Sequence, residues 1–230
     1  MDRSDQLLER AGAAAGFVAV ALLVALFTVF PSLPAPNKPL AEIVNKAEAN
    51  REGLLVGAYA GALMTGALLV FGAALAARLR RADRSGAWWL LALLGIGGTS
   101  IGIVGNALEI MFVRAVGHGA SGNALWIGYG ADHWLGVLTA VPLALFLFAA
   151  GMGGRATGAV SRWLSWLAIG LSCFFVLGAG SVTGAEVDGG ILGMPLLLGY
   201  LGLIVWIPVT SLSMLRHRRP ATVEPAAALG

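Results

Sequence analysis

Six long apolar runs, separated by short stretches rich in charge, proline or glycine, constrain this chain more than any other feature. They cover about Ala11–Phe30, Gly53–Ala77, Ala87–Val113, Ala124–Ala150, Trp163–Thr183 and Ile191–Leu215. A helix needs roughly 20 mostly apolar residues to cross the hydrocarbon core of a bilayer, and each run is of that length. Composition agrees. The 230 residues are 58% hydrophobic and 12% charged, against about 25% charged in soluble domains. A water-soluble fold cannot hide so much apolar surface, so lipid must be solvent for part of it. The expectation is an all-α, polytopic membrane protein, a single six-span domain over 1–219 with a disordered tail over 220–230.

The ends of the runs carry their own signals. The first run exceeds the ~7–15 apolar residues of a signal-peptide core, and no small-x-small cleavage site follows it, so it reads as an uncleaved span. Pro31, Pro34 and Pro36 end it, because proline cannot continue a helix. In the polar connection that follows, Leu40, Ile43, Val44 and Ala47 recur at helical spacing, opposite charged residues. This predicts a short amphipathic helix on the membrane surface or leading into span two. Gly57 and Gly61 form a small-xxx-small pair that lets helices approach closely. Cys173, the single cysteine, lies inside an apolar run. It reads as a small buried hydrophobe, and it excludes a disulfide framework within the chain.

Topology follows from charge. With the N-terminus inside, Arg3, Arg10, Arg78, Arg80, Arg81, Arg84, Arg155, Arg162, Arg216, Arg218 and Arg219 fall inside. Lys38, Lys46, Arg51 and Arg114 make up the rest of the 15 basic residues and fall outside. That imbalance is the positive-inside signature, and it puts both termini in the cytoplasm of a cell with the protein in its inner (plasma) membrane. The net charge of +3 is therefore a topological signal, and no nucleic-acid partner is expected. The tryptophans opening spans three and five, Trp88, Trp89, Trp163 and Trp166, fall at the inner interface, as an aromatic belt does.

Polar chemistry concentrates between Asn106 and His133. Gly95, Gly98, Gly102, Gly105 and Glu109 recur at three- and four-residue steps and so share one face of span three, with Asn106 beside it. In span four Tyr129, Asp132, Gly136 and Thr139 lie within about a third of the circumference, flanked by His133. An ionised carboxylate in hydrocarbon costs about 2.5 kcal/mol or more, so Glu109 and Asp132 should face protein or water. Two polar faces at one depth predict a ligand-binding pocket of Asn106, Glu109, Tyr129, Asp132 and His133, opening outwards, for a small ligand, a cation or protons. The rival reading makes these charges structural, Glu109 pairing with Arg114 or His133 to fix helix register. The protein would then be an accessory subunit or sensor packing a homo-oligomer or a membrane partner. Arg114 reads as an interfacial anchor, and Glu186 and Asp188 as solvated loop charges.

Other chemistries find little support. Gly119–Gly122 reads GASG, similar to the Gly-x-Ser-Gly of rhomboid proteases. That family's histidine in the last span has no counterpart between Ile191 and Leu215, and a serine without a base in reach is a weak nucleophile. A catalytic zinc wants three converging ligands, whereas the adjacent Asp132 and His133 diverge by about 100° on a helix. Of the histidines only His118 and His133 share the outer side, which is poor for haem. No cofactor or metal is expected.

Three stretches carry a family resemblance: NKAEANREGLLVGAYAGAL after the first outer loop, the turn RLRRADR, and the Trp-rich entry SRWLSWLAIGL. Over about Ala11–Arg219 the chain resembles an uncharacterised family of bacterial, mostly actinobacterial, six-span integral membrane proteins. The resemblance implies fold and membrane location, and no functional residue.

Overall fold

The computed structural model describes residues 3–34, 36–82, 86–120, 122–180 and 193–216. Arg84, Ser121, the acidic turn with Glu186 and Asp188, residues 191 and 192 at the start of the sixth run, and His217 through the 220–230 tail lie outside them. Every element among the described residues is helical: α1 (Arg3–Thr28), α2 (Leu40–Ala49), α3 (Arg51–Ala82), α4 (Ala87–Gly98), α5 (Ile101–Gly117), α6 (Asn123–Leu138), α7 (Ala140–Thr157), α8 (Arg162–Ala179) and α9 (Gly193–Arg216). Six helical stretches are long and apolar enough to cross a membrane, with α4–α5 and α6–α7 each counting as one. At most 44% of the most apolar window of any span is buried within the chain, so each span keeps apolar surface outside the core. Leu94, Ile127, Val176 and Leu177 stand on that surface, each more than half exposed. Such a surface is what a multi-pass membrane protein presents to lipid. Cys173 belongs to it as well: it is exposed on α8, not buried as its apolar run predicts, because hydropathy does not say which side of a helix meets protein.

Spans three and four are read from sequence as continuous, and both are broken in the structure. Pro142 has no N–H to give Leu138, and a proline ring clashes with the carbonyl four residues back, so α6 stops and α7 starts around Thr139. The Thr139 hydroxyl donates to the Leu135 carbonyl at 2.8 Å. In span three Gly97 and Gly98 precede Thr99 and Ser100. Here Thr99 N and Ser100 N donate to the carbonyls of Ile96 and Gly97, a tightened turn of the kind that marks kinks at glycine–serine steps. Gly158, with φ +70, ends α7 in the left-handed conformation that suits glycine at a helix C-terminus.

The breaks divide the molecule into two levels. At one end α1, α3, α4, α7, α8 and α9 close into a ring, each packed on its neighbours. Phe71, Phe146 and Trp206 fill its centre without exposure, with Trp206 edge-on to both other rings and its indole N–H donating to the Leu164 carbonyl at 3.0 Å. This is the arginine-rich end. Arg81 bridges Asp5 at 3.0 Å and also pairs with Glu9. Arg80 lies 5.1 Å over the Trp89 ring, and Arg155 lies 4.0 Å over Trp166. At the other end α5 and α6 form a hairpin against the start of α3. The amphipathic α2 caps it: Ile43 and Ala47 are buried with Phe112, Val113, Val116, Leu125 and Tyr129. The helix expected at the surface thus rests its apolar face on the hairpin.

Candidate functional site

The cavity at this second end is about 240 Å³ and is lined by Leu26, Phe30, Pro31, Ser32, Leu33, Gly57, Asn106, Glu109, Tyr129, Asp132 and His133. The five side chains singled out by helical phasing therefore line one space. α5 delivers Asn106 and Glu109, and α6 delivers Tyr129, Asp132 and His133, because the glycine stripe lets the two helices lie close. Asp132 fits beside Gly105, where a Cβ would stand 3.4 Å from its Oδ1. Gly61 of α3 leaves room for the Asn106 amide oxygen, while the Asn106 amide N–H donates to the Gly102 carbonyl at 2.6 Å. Gly57 admits Phe30, whose Cβ is 3.3 Å from where a glycine-replacing Cβ would lie.

The fourth wall is the feature that phasing does not show. The end of α1 and the segment Pro31–Leu33 close the cavity, and the Tyr129 hydroxyl donates to the Pro34 carbonyl. The Tyr129 ring is buried, with its centroid 5.1 Å from that of Phe112. A sequence signal for this contact existed. Prolines supply no N–H, so a stretch with Pro31, Pro34 and Pro36 leaves carbonyls that need donors from elsewhere.

The electrostatics are lopsided. Among the described residues no Lys or Arg lines the cavity, and neither Glu109 nor Asp132 has an ion pair or a hydrogen bond. Arg114 is exposed, and Arg51 lays its guanidinium against Gly117. The Glu109–Arg114 pair of the structural reading is absent among the described residues. His133 packs edge-on to Trp134, centroids 5.3 Å apart, and its Nε2 is buried with no hydrogen-bond partner. His118 caps the end of α5, away from the cavity. No three His, Cys, Asp or Glu side chains among the described residues are grouped to hold a metal ion.

One helical turn deeper, a second cavity of about 50 Å³ sits at the level of the breaks, with Thr65, Thr99, Thr139 and Tyr200 in a mostly apolar wall. Gly102 lies beside this space: a Cβ on it would meet Thr65 and Thr139 at 3.5 and 3.7 Å. Each threonine hydroxyl already donates to its own helix. The chain matches no family model, no curated protein and no solved structure.

Proposed function

We propose that this is a multi-pass protein of the cell inner membrane whose polar pocket opens to the outside and binds or conducts a small ligand, a cation or protons. The observation that carries the reading is the shared cavity: two carboxyl groups, an imidazole, a phenol and an amide from two helices line one space, and among the described residues the carboxyls have no partner. Uncompensated charge at such depth is costly, and intramembrane ionisable groups of this kind mark ligand or ion pathways. The outward direction rests on Arg10, Arg78, Arg80, Arg81, Arg155, Arg162 and Arg216 lying on the helix ends opposite the cavity, which under the positive-inside rule face the cytoplasm.

The test is charge movement. Proteoliposomes are adsorbed on a solid-supported membrane, and the bath is exchanged at constant ionic strength for one of different pH or different cation. The wild type should give a transient current that Glu109→Gln combined with Asp132→Asn removes. A wild type that stays silent in every exchange overturns the reading in favour of a structural subunit.

A further inference from the structure

We infer that the pocket is built for a small protonated amine, its ammonium group held between Glu109 and Asp132 and its carbon skeleton against Leu26, Phe30 and Leu33. The inference rests on the pocket reading above and names the ligand that the walls fit.

The charge comes first. Glu109 and Asp132 share a cavity in which, among the described residues, no Lys or Arg takes part. A buried charge without a partner is strongly unfavourable, and a cationic occupant supplies the partner that none of the described residues provides. Second is the kind of cation. Calcium takes six to eight oxygen ligands, and magnesium wants a near-ideal octahedron, yet no three acidic, histidine or cysteine side chains are grouped for a metal among the described residues. A strongly hydrated ion also gains nothing from Leu26, Phe30 and Leu33. An organic cation buries its carbons there, and the Phe30 and Tyr129 rings can take part in cation–π attraction.

Hydrogen-bond polarity narrows the class further. The Tyr129 hydroxyl spends its only proton on Pro34, so its oxygen has lone pairs left to offer. The carboxylates accept only, and the buried Nε2 of His133 lacks a partner. The acceptors offered by Glu109, Asp132 and Tyr129 suit an ammonium that carries N–H groups rather than a quaternary one. The volume of about 240 Å³ is below the ~300–1,000 Å³ of pockets for drug-sized ligands, so the amine is small.

The experiment is ligand binding by the full chain in nanodiscs, read as a shift in thermal midpoint and as a titrated Kd. The probes are butylammonium, 1,4-butanediammonium and 2-phenylethylammonium. Tetramethylammonium, sodium and calcium chlorides at equal ionic strength are the comparison. At least one primary ammonium should raise the midpoint saturably, and the comparison salts should not. Glu109→Gln and Asp132→Asn should each weaken that binding about tenfold or more, the loss of a charged hydrogen bond. Phe30→Leu keeps both carboxylates and should weaken it about threefold, which covers the case in which a carboxylate variant fails to fold. Saturable stabilisation by sodium, calcium or tetramethylammonium with none by the primary ammoniums overturns the inference and leaves the pocket reading standing. No stabilisation by any probe also overturns it; a persisting pH-driven current would then point to protons, and a silent protein would take the pocket reading down too.

Discussion

The glycine stripe of the third span runs through two different environments. At the ring end, a Cβ on Gly95 would stand 2.8 Å from the Phe146 Cα and 2.9 Å from the Pro142 carbonyl oxygen, and one on Gly98 2.6 Å from the Pro142 Cβ. Past the break, the same test at Gly102 and Gly105 meets side-chain atoms at 3.5 and 3.4 Å, ordinary or nearly ordinary contact. One residue type thus does two jobs. In the ring it removes a side chain so that backbones can touch. In the hairpin it thins a wall so that Asn106, Asp132 and Glu109 can share a cavity. The ring is where packing is concentrated, and the hairpin is where polar groups are left available.

Substitutions can break that contrast. The largest effect should come from Trp206→Ala, which empties the middle of the aromatic cluster and removes the indole bond to the Leu164 carbonyl. A loss of about 3–5 kcal/mol, read by reversible unfolding in detergent micelles, is expected. Gly95→Ala forces a methyl into backbone and should cost about 1–3 kcal/mol, whereas Gly105→Ala should cost well under 1 kcal/mol. Equal costs at the two positions would mean that the stripe has one role throughout. Tyr129→Phe removes the tie to Pro34. Hydrogen bonds between membrane helices average about 0.6 kcal/mol and reach about 1.7 kcal/mol, so stability should fall little. Modification of a cysteine placed at Ser32, on a Cys173→Ser background, should accelerate several-fold as the wall loosens. An unchanged rate would show that the segment is held by something other than Tyr129. Smallest of all is Arg81→Gln at the arginine-rich end. Its partners Asp5 and Glu9 are partly exposed, so its cost should be at most about 1 kcal/mol and should shrink as salt rises.

Much of this was legible in the sequence, for identifiable reasons. Hydropathy finds spans because transfer into lipid is the dominant energy, so six helical stretches of the expected length follow from composition along the chain. Phasing places Glu109 on the glycine face and Tyr129 with Asp132 because helix geometry is local. Non-local facts were hidden. That the end of α1 and Pro31–Leu33 form a wall depends on how α1 packs against α3, which no periodicity records. The breaks at Thr99 and Thr139 escaped a hydropathy reading because the apolar run continues across them. Pro142 and the Gly97–Gly98 pair are the letters that mark them. Cys173 shows the same limit, since residues in an apolar run face protein or lipid with equal ease.

The central claim is that Glu109 and Asp132 are kept for an occupant and not for the fold. The direct measurement is the unfolding free energy of Glu109→Gln combined with Asp132→Asn, without ligand, against the wild type. Residues held for function commonly cost stability, and these two bring like charge into one cavity. The double variant should be as stable as the wild type or more so. A loss of 2 kcal/mol or more, the order expected when one side of a buried, partnered charge is removed, would contradict it.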